Sequence, residues 1–359
     1  MKYTYSPEVR LAVEPQEFDK NSPKEILQYA VGGLLYMPAT QKNVAQKIID
    51  GRFNFVKSMV LDLEDSLGDD MIGAGQRNIV NVINEIAKAV ESEKISISDV
   101  PLIFVRVREP DQILETMDML KEKIVYLTGF NVPKFDKYCC KEYIKNFQKA
   151  LEYAHSIDGT ELYIMPILEN KTTLYRQLRM DNLLFVNDAL REIANNVLNI
   201  RMGGADFCHI LGIRRDVNYS IYDIGVIRSC INDIINVFGK SYVVSGPVWE
   251  YFGTPEGEEG LRRELRHDKM NGIIGKTSIH PTQLPIIQEA HIVNNADYMD
   301  ALGVLGMNEN TTGVQKSASG RMNEVKTHGK WAKKIMNLAY VYGVKAKEET
   351  PADTDWEGK

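Results

Sequence analysis

The feature that most constrains this 359-residue chain is an eightfold alternation of short apolar runs with longer amphipathic stretches. The runs occupy 34–38, 58–65, 102–107, 129–134, 162–169, 199–206, 242–247 and 272–278. Between them the spacing predicts helices near 41–50, 74–92, 111–122, 137–155, 171–198, 223–238 and 255–270. Continuous apolar strands that alternate with helices belong to a parallel sheet covered on both faces. Eight such units close into a (β/α)8 TIM barrel, so the expected class is α/β. The competitor, an open doubly wound sheet, usually carries a glycine-rich turn after its first strand. Here Pro38-Ala39-Thr40 stands at that place.

The barrel accounts for 1–285 as one catalytic domain. A helix opening at Pro281-Thr282-Gln283 and running to about 302, a polar loop at 308–320 and a helix at 324–342 follow. Residues 286–345 are therefore expected to form a C-terminal helical extension or oligomerisation arm, and 346–359 a flexible tail. Composition narrows the class further. At 44% hydrophobic and 26% charged, with a net charge of -6, the chain is not disordered, collagenous or disulfide-stapled. The acidic balance argues against a nucleic-acid binder. The locally basic positions Lys316, Arg321, Lys326, Lys330, Lys333, Lys334 and Lys345 are expected on a solvated face. No apolar run reaches the roughly 20 residues that cross a bilayer, and the N-terminus has no signal-like apolar segment; a cytoplasmic location is expected. Cys139, Cys140, Cys208 and Cys230 form no CxxC pair, and the six histidines form no HxxxH motif, which argues against zinc.

In a barrel enzyme the chemistry gathers where the strands exit. Those exits offer Glu64 and Asp65, Arg106 and Arg108, Lys134, Glu169, Asp206, and Lys276 with His280 just beyond. Glu169 and Asp206 end consecutive strands, and two neighbouring carboxylates call for a cation. Two oxygen ligands with positions left for water and substrate suit Mg²⁺, with Mn²⁺ possible in its place; either carboxylate alone would equally serve as a helix cap. Arg106 sits inside an apolar strand and needs an anion to offset desolvation, either Glu64 or Asp65 in a structural pair or a substrate carboxylate. Lys134 and Lys276 are charge partners for the Glu64/Asp65 cluster or, in the alternative, Schiff-base amines. His280 is an acid–base candidate or, with Pro281, a loop-orienting residue. Arg106, Gly204, Ala205 and Pro38 are the expected substrate-binding positions.

Ordered along the chain, Leu61-Asp62-Leu63-Glu64-Asp65-Ser66, Val105-Arg106-Val107, Pro133-Lys134, Ile167-Leu168-Glu169-Asn170, Gly203-Gly204-Ala205-Asp206-Phe207 and Gly275-Lys276-Thr277-Ser278-Ile279-His280-Pro281 resemble the citrate lyase β-subunit and 2-keto-3-deoxy-acid aldolase superfamily, as a divergent branch. The resemblance implies a trimeric or hexameric (β/α)8 barrel, Mg²⁺ held at Glu169 and Asp206, and a 2-keto acid bound by Arg106. It departs at the first strand, where the family commonly reads Arg-Ser-x-Leu-x-x-Pro-Gly; the stretch Val31 to Ala39 has no arginine. That weighs against citrate- or malyl-CoA substrates and leaves a phosphorylated one open. The function expected is a Mg²⁺-dependent carbon–carbon lyase or aldolase working through an enolate on a small keto acid or acyl substrate. The rivals are a Schiff-base aldolase and a non-catalytic ligand-binding barrel.

Overall fold

The computed structural model describes residues 1–307, 314–317 and 320–347. Eight strands form one parallel sheet: β1 (Gly33–Pro38), β2 (Ser58–Asp62), β3 (Leu102–Arg106), β4 (Gly129–Val132), β5 (Tyr163–Leu168), β6 (Asn199–Met202), β7 (Val243–Ser245) and β8 (Lys276–Ser278). Neighbours follow sequence order from β1 to β7, and β8 returns to pair with β1. A parallel bridge from Gly246 to Lys276, with Ile274 N–H donating to Val244 O, joins the last two strands. The expected (β/α)8 barrel is the fold.

The connecting helices are α1 (Val44–Ile49), α2 (Ile72–Glu91), α3 (Asp111–Leu120), α4 (Cys140–Asp158), α5 (Arg176–Ala189), α6 (Gly204–Leu211), α7 (Gly225–Phe238), α8 (Pro255–Met270) and α9 (Gln283–Ala290). Successive strand residues face opposite ways. One alternate set, including Met59, Leu61, Ile103, Val105 and Ile200, packs outward into the apolar core. The other, including Tyr36, Asp62, Arg106 and Arg201, lines a cavity inside the barrel. Gly129 shows how tightly the strands fit, because a Cβ there would meet Tyr163 O at 1.8 Å.

The chain divides into two compact units, one of Met1 with Phe18–Ala290 and one of Lys2–Glu17 with His291–Lys359. In the second unit a short strand, Leu11–Val13, pairs antiparallel with Val344–Lys345. Tyr3 stacks on Tyr342 with ring centroids 4.7 Å apart. The helices α10 (Asn295–Gly306) and α11 (Val325–Tyr342) pack through Ala301, Val304 and Ala332.

The helix expected from 281 to 302 is two helices. The chain breaks between Ala290 and Asn295, where Val293 leaves helical pairing and bridges Val344. The N-terminal residues, read from sequence as part of the barrel domain, belong instead with the C-terminal segment, where their strand finds an edge to pair with. Most of the expected 308–320 loop and of the 346–359 tail lies outside the described residues. No described helix is long and apolar enough to cross a membrane.

Candidate active site

At the strand exits the cavity, about 400 Å³, is lined by residues of β1, β2, β3, β5, β6 and β8 and by the start of α6. One wall is an ionic cluster built around Arg106. Asp62 and Arg106 face each other across the parallel register of β2 and β3. Their pairing is two-pronged, Nε to Oδ1 at 2.6 Å and Nη2 to Oδ2 at 2.8 Å, the geometry that suits guanidinium to carboxylate. Nη1 reaches Glu64 at 3.1 Å and Asp65 at 3.2 Å. The guanidinium also lies 5.2 Å from the ring centre of Tyr36. Asp62 in turn accepts the backbone N–H groups of Glu64 and Ser66, which fixes the turn after β2. The expected pairing of Arg106 with Glu64 and Asp65 is present, yet its principal partner is Asp62.

Lys134 closes this cluster. Its ammonium bonds Glu64 and lies 3.7 Å from Asp65. Burial lowers its pKa, but the bond to Glu64 and the surrounding carboxylates outweigh that and leave it above the ordinary lysine value. Its backbone is left-handed, φ 50°, an uncommon conformation for a side-chain-bearing residue. In it the Lys134 N–H donates to Glu169 Oε1 at 2.8 Å.

Glu169 follows β5 directly and is 3% exposed, with no basic side chain within ion-pairing distance among the described residues. Asp206 comes from the first turn of α6 rather than from a strand end as expected; β6 stops at Met202 because Gly203 and Gly204 open the helix. Burial, then the charge of Asp206, holds the Glu169 carboxyl well above the usual range. Burial and the charge of Asp65 raise Asp206 as well. Gly203 makes the packing possible, since a Cβ there would sit 2.2 Å from Glu169 Oε2. Among the described residues no group of three or more His, Cys, Asp or Glu side chains forms a metal cage. The site thus offers two hard carboxylate ligands, uncompensated and open to the cavity. That donor set fits a cation that keeps several water or substrate oxygens.

Pro38, Gly204 and Ala205 line the cavity where the sequence placed them. Lys276 does not. Its neighbour Thr277 faces the cavity, so by strand alternation Lys276 turns outward, where its ammonium pairs with Glu264 at 2.9 Å and Asp268 at 2.8 Å on α8. The expected partnership with Glu64 and Asp65 is corrected accordingly. His280 lies outside the cavity lining, stacked on Phe252 at 4.5 Å and bonded through Nδ1 to Thr282 Oγ1. Arg108 pairs with Asp69 at 2.8 Å, also away from the cavity. Two charged cavity residues went unread in the sequence, Asp62 and Arg201. The signal applied to Arg106, a charge inside an apolar strand, marks Arg201 equally well.

A parallel barrel with carboxylates and arginines gathered around one cavity at its strand exits defines a TIM-barrel enzyme. A family model described as a C–C bond lyase of the TIM-barrel fold matches residues 25–344, and the chain belongs to that family. It is a carbon–carbon lyase. No curated protein matches it. Solved structures share the fold at low identity. A citrate lyase from Burkholderia xenovorans LB400 aligns over 88% of this chain and 94% of its own, at 13% identity and a TM-score of 0.64. CitE from Mycobacterium tuberculosis, solved with magnesium, acetoacetate and coenzyme A, aligns over 87% and 99% at 16% identity and TM-score 0.57. Malate synthase from Haloferax volcanii, as a magnesium/glyoxylate complex, aligns over 72% and 74% at 17% identity and TM-score 0.54.

Proposed function

We propose that this chain is a Mg²⁺-dependent lyase or aldolase that cleaves or forms a carbon–carbon bond beside a carbonyl, acting on a 2-keto acid or related carboxylate through an enolate. The observation that carries the reading is the pair Glu169 and Asp206, which line the cavity side by side with no ion-pair partner among the described residues. Those two side chains would hold the divalent ion, Mg²⁺ or Mn²⁺. A bound ion would supply positive charge to stabilise a developing enolate, where electrostatic stabilisation counts most. The magnesium complexes of CitE and malate synthase support this assignment.

The chain's own groups supply the rest. The first N–H groups of α6, those of Gly204 and Ala205, have no intrahelical partner and are suited to a substrate carboxylate. Arg106, held rigid by Asp62, adds positive charge to the same cavity. Asp65, which lines the cavity while Glu64 does not, is the carboxylate placed to carry the proton. Pro38 lines the same cavity. A cavity of about 400 Å³ suits a small acid. The Schiff-base alternative is disfavoured because Lys134 is held protonated by Glu64 and Lys276 faces away from the cavity.

The test is retro-aldol turnover of oxaloacetate and of a 4-hydroxy-2-keto acid, before and after EDTA and again after Mg²⁺ is returned. Turnover should vanish on stripping and recover on addition; unchanged turnover in EDTA sinks the mechanism. We also propose a homo-oligomer, trimer or hexamer, as the resemblance implies. Sedimentation velocity should show a single such species, and a monomer at micromolar concentration would contradict it.

A further inference from the structure

Four arginines among the described residues are buried, namely Arg106, Arg179, Arg201 and Arg215. Three have a carboxylate against the guanidinium: Asp62 for Arg106, Asp233 for Arg179 at 2.8 Å, and Glu264 for Arg215. Arg201 is the exception, although it is 1% exposed. Its Nη2 donates to the Thr277 hydroxyl at 2.9 Å and its Nη1 to Asn199 Oδ1 at 3.4 Å. Its Nε has no hydrogen-bond partner. Tyr36 is the other group that acts on it, and burial raises the pKa of that phenol, so it stays neutral. A buried cation facing only neutral dipoles is costly, and a chain that keeps one in a cavity wall holds it ready for an anion from outside.

The arginine is also fixed in place. Asn199 is pinned by the Ser245 hydroxyl at 3.0 Å and by its own amide, which donates to Gln28 O and Leu198 O. Thr277 projects from β8 on the other side. Such preorganisation lowers the entropy lost when a ligand is captured. Arg106 cannot do the same work, because three carboxylates already occupy its donors. The first strand supplies no arginine either.

We propose that Arg201 is a specificity-determining residue that binds a second acidic group of the substrate, a carboxylate or a phosphate, so that the substrate is a compact keto acid with two anionic ends. This rests on the lyase reading for the placement of the first carboxylate at α6, and on the geometry of Arg201 for the second. Lys276 and the other buried arginines each lie against a carboxylate and carry no comparable demand for an anion.

The test is calorimetric binding in magnesium buffer of 2-oxoglutarate and of 2-oxopentanoate, which has the same chain with a methyl group in place of the second carboxylate. Wild type should prefer the diacid at least tenfold. Arg201→Gln should erase that preference, and Arg201→Lys should keep part of it. Inorganic phosphate should compete if the second group is a phosphate, and its competition should also disappear in Arg201→Gln. Removing an uncompensated buried charge should leave the melting temperature of Arg201→Met at or above that of wild type. A preference that survives Arg201→Gln overturns the proposal, as does the absence of any Arg201-dependent binding of either probe. A fall of several degrees in Arg201→Met marks the residue as structural and overturns it too. None of these measurements needs turnover, so a failed lyase assay with Arg201-dependent binding intact would sink the catalytic reading alone.

Discussion

At the scale of single residues, Gly203 is the cavity-lining glycine with the least room for a side chain. The Glu169 carboxylate lies where any Cβ at 203 would be, 2.2 Å from Oε2. Gly203→Ala should therefore push Glu169 out of place and lower kcat/KM by on the order of 10²-fold, the cost typical of an ångström-scale misplacement. The thermal melt should move far less than the activity, and turnover within twofold of wild type would contradict the assignment of Glu169. The sequence made Glu169, Asp206 and Arg106 legible because each interrupts or ends an apolar run. Asp62 escaped notice because it lies inside the motif that also holds Glu64 and Asp65, and only the β2–β3 register shows which of the three faces Arg106. Arg201 is masked in the sequence by the Gly203-Gly204-Ala205-Asp206 stretch just after it, whose single carboxylate already marks the strand exit.

At the scale of elements, strand order and number were legible from continuous apolar runs, while facing was not. Lys276 shows the reason. Strand side chains alternate, so a one-residue error in phase moves a residue from the cavity to the helix layer, and β8 is three residues long with little pattern to set the phase. Asp206 shows a second limit, because the Gly203-Gly204 pair both ends a strand and begins a helix. The entrance to β2 permits a pH prediction. Lys57 precedes that strand, is 7% exposed, and has its pKa pushed down to about 8 by burial. The folded state thus binds fewer protons than the unfolded chain between about pH 8 and the ordinary lysine value of 10.5, and stability rises with pH across that window. Below it the full cost of charging the buried amine is borne. Lys57→Met should be more stable than wild type at pH 7 by on the order of 2–3 kcal/mol, and should lack the rise between pH 8 and 10. Denaturant melts at pH 7, 9 and 10 check this; equal slopes in both proteins would contradict it.

At the scale of the whole molecule, the barrel accounts for the family, and the charges at its mouth account for the chemistry. The net charge of -6 says little about the site, where Arg106 and Lys134 balance most of one carboxylate cluster and Glu169 and Asp206 are left over. The short N-terminal strand was not legible, since three residues carry no periodicity and its partner stands more than 300 positions later. Glu169 and Asp206 are proposed to hold a divalent cation, and calorimetric titration of Mg²⁺ into the metal-free protein tests this. Wild type should bind one Mg²⁺ per chain, and Glu169→Gln should weaken that binding by at least about tenfold, as expected when one of two carboxylate ligands loses its charge. Equal affinity in the two proteins, or no Mg²⁺ binding to wild type, would contradict it.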